Sequence, residues 1–355
     1  MSTIRVNKLI EILLSLYSSS ENIKDIPPIM LWGSPGIGKS QAIKQVSKLL
    51  EEKTGKKVNL IDIRLILFNP VDLRGLPVAD KEKESAIWLK PEIFNMDNSD
   101  NVINILFLDE LTSCPQSIQA CAYQIILDRK IGEHKLPKNC LVLAAGNKIE
   151  DRSVAHKLSK ALSNRLVHLE IEPNIEDWKQ WALKNHIDKR ILGYLNFNNS
   201  YLFKFDQESS ENAFPTPRTW EMVNKTLSIM DMDSAFPFIA GSIGESTAFD
   251  FFSYSKCFDK LPDIKSILDG KIKKVPKEPD TNFALCSAIA SKAMGFSEIN
   301  LANLLNYSLN MLPEFAICLF KDILTANRLL MKTLILLPEF DLFQNRFGKL
   351  FVEDY

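Results

Sequence analysis

The chain has 355 residues, enough for two or three domains and a sizeable core. Its 43 basic and 44 acidic side chains nearly cancel, which removes the electrostatic case for nonspecific binding to nucleic acid or anionic membrane, and no specific nucleic-acid motif is evident. Six dispersed cysteines without a C-x-x-C pair, beside only four histidines, argue for reduced, mostly buried thiols in a cytoplasmic protein and against a structural zinc site.

Residues 1–20 carry Leu9, Ile10, Ile12, Leu13, Leu14, Leu16 and Tyr17, interrupted by Glu11. The pattern predicts an amphipathic helix, and without a small-residue cleavage site it is not a signal peptide. No run reaches ~18 uncharged apolar residues, so no membrane span is expected. Pro28 to Trp32 reads as a short buried strand. Then comes Gly33-Ser34-Pro35-Gly36-Ile37-Gly38-Lys39-Ser40, which fits G-x-x-x-x-G-K-[ST], the phosphate-binding loop of nucleoside triphosphatases. Glycines let the backbone turn tightly and bring N–H groups against phosphate oxygens. Lys39 can reach β- and γ-phosphates, and the Ser40 hydroxyl can ligate Mg²⁺. A helix follows from Gly38 or Lys39, its positive end toward the anion, with Ala42, Ile43, Val46, Leu49 and Leu50 on one stripe. The alternative is a chance glycine-rich turn; four fixed positions in a strand–loop–helix setting weigh against it.

Further strands are predicted at Val58–Ile63, Ile103–Leu108, Cys140–Ala145 and Leu166–Ile171, giving an α/β layer with a parallel sheet. Between the first two lies Asn69 to Asn95, a hairpin-like excursion whose charged tip runs from Asp80 to Glu84. The Ile103–Leu108 strand ends in Asp109 and Glu110. Asp109 could hold Mg²⁺ through water, and Glu110 could deprotonate the attacking water. The competing view is that both simply cap the next helix; a preceding phosphate loop tips the balance. Asn147 ends another strand and could position that water, although from spacing alone an Asn after Gly146 reads as a turn residue.

From Pro173 the pattern turns helical. Ile175 to Leu195 reads as helix, Asn196 to Asn212 is polar, and Thr216-Pro217 opens another helix with Thr216 as N-cap and Pro217 at its first position. Lys271 to Thr281 reads as a loop, and residues 233–355 look all-helical. Trp32, Trp88, Trp178 and Trp181 read as packing residues. Arg74 and Arg129 read as surface charges, with a subunit interface or central pore as the other option.

The order of G-x-x-x-x-G-K-S, an apolar run with Asp-Glu, an apolar run with Gly-Asn, an Arg closing a helix, and Pro-Arg opening a later one resembles AAA+ ATPases. Val71-Asp72-Leu73-Arg74-Gly75-Leu76-Pro77, Asp128-Arg129-Lys130-Ile131-Gly132, Ala144-Ala145-Gly146-Asn147 and Thr216-Pro217-Arg218-Thr219-Trp220-Glu221 look like the MoxR-type, dynein-related branch. The resemblance covers roughly residues 1–232. It implies a P-loop NTPase core with a parallel sheet over 1–172, a helical lid over 173–232, and a helical region of unassigned role over 233–355. Gly75 to Phe94 would be a hairpin inserted into helix 2. Gly33 to Ser40 would be Walker A, Ile105 to Glu110 Walker B, Asn147 sensor 1, Arg165 an arginine finger reaching a neighbour's nucleotide, and Arg218 sensor 2. Asn164 and Leu166 beside Arg165 depart from the family's usual flanks, and Arg152 is a second candidate finger. The resemblance further implies ATP and Mg²⁺, a homo-oligomeric, hexameric ring, and a client such as a von Willebrand factor A domain protein.

Two other readings stay open on sequence. One is a nucleotide-gated assembly module with little turnover, against which Glu110 speaks. The other is a kinase or GTPase, against which speaks Asn147-Lys148-Ile149-Glu150, lacking the Asp of a guanine-recognition motif.

Overall fold

The computed structural model describes residues 2–19, 23–82, 84–148, 156–205 and 211–352. Two compact units emerge, Met1–Asn174 and Ile175–Tyr355.

The first unit is built on a six-stranded, all-parallel sheet: β1 (Ser2–Arg5), β2 (Ile29–Trp32), β3 (Lys57–Arg64), β6 (Val102–Asp109), β9 (Cys140–Gly146) and β10 (Val167–Glu172). Their spatial order is β1-β10-β2-β9-β6-β3. β6 and β9 are neighbouring interior strands and are apolar almost without break, as strands covered on both faces must be. Helices α1 (Val6–Ser19), α2 (Lys39–Thr54), α4 (Gln116–Asp128) and the short α5 (Lys160–Ser163) alternate with the strands. The excursion is a short α3 (Pro70–Arg74), capped by Asn69, followed by an antiparallel hairpin of β4 (Leu76–Ala79) and β5 (Ala86–Leu89). A second small hairpin pairs β7 (Lys130–Ile131) with β8 (His134–Lys135).

The five predicted strands are present within one or two residues of their expected ends. Residues 1–20 are not one helix. Ser2 to Arg5 form β1 beside Leu169–Glu172, and the helix begins at Val6. Four residues of mixed polarity carry no period, so only the long-range pairing reveals them. Within α2, Ala42, Ile43, Val46 and Leu50 are buried, whereas Leu49 is 38% exposed and sits off the stripe.

The described part of the second unit is helical: α6 (Ile175–Lys184), α7 (Lys189–Phe197), α8 (Pro217–Leu227), α9 (Met232–Ile243), α10 (Glu245–Ser255), α11 (Ile264–Leu268), α12 (Pro279–Ala290), α13 (Glu298–Ser308), α14 (Pro313–Ala326), α15 (Leu330–Leu334) and α16 (Pro338–Val352). The predicted helix over 175–195 is two helices. His186 adopts φ +54° between them, and Asp188 caps the second by accepting from Arg190 N at 2.8 Å. Thr216 caps α8 as predicted, accepting from Thr219 N at 3.1 Å. Helix α12 is buried from Ala284 to Ala290, as expected of a helix apolar on every face. Between α6 and α14, Lys179 Nζ meets Asp322 Oδ1 at 2.6 Å with both side chains nearly inaccessible. Asn196 Nδ2 donates to the other carboxylate oxygen at 2.8 Å. Burial works against the Lys179 charge, but Asp322 above all, with Cys318 and Glu176, outweighs it and holds the pKa above lysine's ordinary value. Among the described residues no helix is long and apolar enough to cross a membrane.

Candidate functional site

Sheet register brings the predicted residues to one edge. Met30 pairs with Ala144, and Ala144 with Leu108, so β2, β9 and β6 end level with one another. Trp32 then lies beside Gly146 on one side and Glu170 on the other. Gly33, Asn147 and Glu110 therefore leave the carboxyl ends of three neighbouring strands, the edge where open parallel sheets bind ligands.

The loop that follows β2 needs its glycines. Gly33 has φ +154°, and a Cβ there would stand 2.4 Å from Ile37 Cδ1 and 2.9 Å from the Ile171 carbonyl oxygen. Gly38, at φ +105°, is the N-cap of α2, its carbonyl accepting from Ala42 N at 2.8 Å. Ile37 is buried under the loop, while Ser34 and Pro35 remain half-exposed. Lys39 is 8% exposed, folded back over the loop. Its Nζ donates to the carbonyls of Gly33 at 2.5 Å and Ser34 at 3.1 Å, and to Asn147 Oδ1 at 3.1 Å. Next in the helix, the Ser40 hydroxyl donates to Asp109 Oδ2 at 2.7 Å. Asp109 Oδ1 accepts from Glu110 N at 2.9 Å. The structure thus brings Lys39, Ser40, Asp109, Glu110 and Asn147 together.

Glu110 has φ +59°, a left-handed conformation that costs a non-glycine residue about 1–3 kcal/mol and persists where surroundings enforce it. The first unit is a P-loop α/β core.

Two oxygen donors already in contact, a hydroxyl and a carboxylate, suit a hard cation such as Mg²⁺. A glycine loop opening onto a helix N-terminus suits the phosphates of a nucleotide. Beside them Lys148 forms an ion pair with Glu170, both half-buried. Trp32 packs on His168, donating from Nε1 to its Nδ1 at 2.8 Å, while His168 Nε2 meets the Ser163 carbonyl at 2.7 Å. The indole nitrogen and one face of the ring are thereby committed inside the first unit.

Arg165 is not part of this cluster. It is exposed, and its Nη1 donates to Tyr123 Oη at 3.1 Å and the Ala161 carbonyl at 3.3 Å. Arg218 is exposed at the second position of α8. Arg152 lies outside the described residues. Arg129, read as a surface charge or interface residue, turns inward. At φ +50° its Nη2 donates to the Cys140 carbonyl at 2.5 Å and that of Pro137 at 3.3 Å, tying α4 to the start of β9. Sequence reasoning also passed over Thr112, which is 1% exposed and bonded to the backbone of Asn147. A threonine two places after a carboxylate carries no motif signal of its own.

No family model and no curated protein sequence matches the chain. Solved structures similar to it include a RuvB mutant of Thermotoga maritima, with 15% identity, 83% of this chain and 86% of that one covered, and a TM-score of 0.39. The Aeropyrum pernix ORC2 protein, in ADPNP-ADP complexes, shows 15% identity over 82% and 79% of the two chains with a TM-score of 0.42. The replication initiator DnaA bound to AMPPCP and single-stranded DNA shows 15% identity over 98% and 93% with a TM-score of 0.38. Likenesses this distant carry no weight for activity; that rests on the loop and the strand ends.

Proposed function

We propose that the chain is an ATP hydrolase of the AAA+ class, MoxR-type branch, acting as a homo-oligomeric, hexameric ring on a partner protein in the cytoplasm. One observation carries this reading: Lys39 Nζ lies 3.1 Å from Asn147 Oδ1, beside the 2.7 Å contact of Ser40 with Asp109, with Glu110 next in the chain. A triphosphate laid along Gly33–Ser40 would take hydrogen bonds from the loop N–H groups. Lys39 would exchange its carbonyl partners for β- and γ-phosphate oxygens. Ser40 and Asp109 would hold Mg²⁺, which when bound neutralises charge developing on the phosphates. Glu110 takes the proton of the attacking water, and the Asn147 amide orients that water.

Arg165, exposed on the first unit, is the group that would reach a neighbour's nucleotide, and Arg218 is the sensor of the lid. A cation in the first turn of α8 opposes the helix dipole, a placement that an anionic ligand would offset, and this supports the second role. The core would span 1–172, the lid 173–232 and the C-terminal region 233–355. Its client is a protein, with a von Willebrand factor A domain as the candidate class.

The test is Glu110→Gln. Turnover of Mg·ATP falls by about 10²–10⁴-fold, the usual share of a general base, while nucleotide affinity stays. Absence of affinity for Mg·ATP, or a preference for GTP, overturns the reading. Binding without turnover by the wild type in any assembled state replaces it with a nucleotide-gated module.

A further inference from the structure

The turn that leaves β6 is stitched to the end of β9. Leu111 N donates to the Ala145 carbonyl at 2.9 Å. One residue on, the Thr112 hydroxyl accepts from Asn147 N at 3.1 Å and donates to the Asn147 carbonyl at 3.1 Å. A single buried hydroxyl thereby satisfies both backbone groups of one residue. Gly146 makes room for it: a Cβ there would lie 2.6 Å from Thr112 Oγ1, 2.7 Å from its Cγ2 and 2.8 Å from Met30 Cε. Upstream, Ser113 N donates to the Glu110 carbonyl at 3.0 Å, closing the turn in which Glu110 holds its left-handed backbone.

We propose that Thr112 is a positioning residue that sets Glu110 and Asn147 relative to each other, an inference that rests on the hydrolase reading above. Asn147 reaches Lys39 through a side chain whose backbone is fixed by Thr112 at both N–H and C=O. Glu110 sits two residues before the same threonine in a conformation it would leave if the turn were released. The hydroxyl supplies the hydrogen bonds that hold the Asn147 backbone. Base and water-orienting amide thus move together or not at all.

The experiment compares Thr112→Val, which keeps shape but loses both hydrogen bonds, with Thr112→Ser, which keeps them. Valine should lower kcat by about 10–100-fold, the loss expected when catalytic groups drift by about 1 Å. Affinity for a non-hydrolysable ATP analogue should stay within about threefold, since only a transition-state contact is lost, and serine should restore kcat to within about threefold. Combining Thr112→Val with Asn147→Ala should cost little more than the larger single change, because the two act as a unit. If the valine variant does not fold, Gly146→Ala reads the same coupling, since its methyl displaces a hydroxyl it does not remove, and it should lower kcat with affinity kept. Wild-type kcat in a folded valine or Gly146→Ala variant, or multiplying losses in the double variant, overturns the coupling while leaving the hydrolase reading intact. A wild-type protein without turnover overturns both.

Discussion

Among the described residues each unit buries one lysine, and the two are held in different ways. Lys39 is satisfied in part by dipoles: two carbonyls of a loop whose glycines adopt positive φ, and one amide just past the end of β9. Lys179 is held by the full charge of Asp322, in a helical core, with Asn196 completing the carboxylate. Carbonyl and amide partners can be exchanged for phosphate oxygens at small cost. A neutralised ion pair sealed between helices has nothing to exchange for. The first arrangement suits a site, the second suits architecture.

Breaking the architectural pair should have the larger effect. Lys179→Ala leaves the Asp322 charge buried without its partner and should cost about 3–5 kcal/mol in urea unfolding of the second unit. Replacing both, as Lys179→Met with Asp322→Leu, should recover most of that loss. Folding raises the Lys179 pKa, so its contribution is fully present below the unfolded value of about 10.4 and fades only as pH climbs beyond it. The stability gap between wild type and the alanine variant should therefore be flat from pH 6 to 9. A gap that closes within that range would show that something other than this pair sets it.

At the other lysine the effect should appear in turnover. Lys39→Ala removes one fixed electrostatic donor and should lower ATP hydrolysis by about 10²–10³-fold while the protein stays folded. Arg165→Ala should also lose hydrolysis while keeping ATP affinity. Mixing the two inactive proteins should restore part of the activity, because each supplies what the other lacks. Steady-state hydrolysis across mixing ratios measures this; a flat line would place Arg165 in cis or outside the chemistry.

The same contrast explains what the sequence made legible. The phosphate loop and the Asp109–Glu110 pair were readable because phosphate chemistry demands those residue types at fixed spacing, and each follows an apolar strand. Asn147 was readable only as part of the set, since a lone Asn after Gly146 looks like a turn. Thr112 and Arg129 were not readable as what they are. Their roles depend on backbone groups of residues far along the chain, Asn147 for one and Cys140 for the other. β1 escaped for the same reason, because a four-residue edge strand is defined by its neighbour. In the second unit the helical pattern was plain, but the break at His186 and the Lys179–Asp322 pairing were not, since neither has a period.

The smallest predicted effect falls on α2, where pattern and packing disagree at one position. Leu49 matches the apolar stripe of its helix in sequence but is 38% exposed, whereas Val46 and Leu50 are fully buried. Serine at position 49 should therefore change stability by no more than about 0.5 kcal/mol, the range of ordinary surface substitutions. Leu50→Ala, one residue on, should cost about 2–5 kcal/mol through lost burial and the cavity left behind. Urea unfolding of the two variants side by side separates a residue that only continues a pattern from one that the core uses. Equal losses would mean that Leu49 is covered in the working protein, as a face closed by a second copy would cover it.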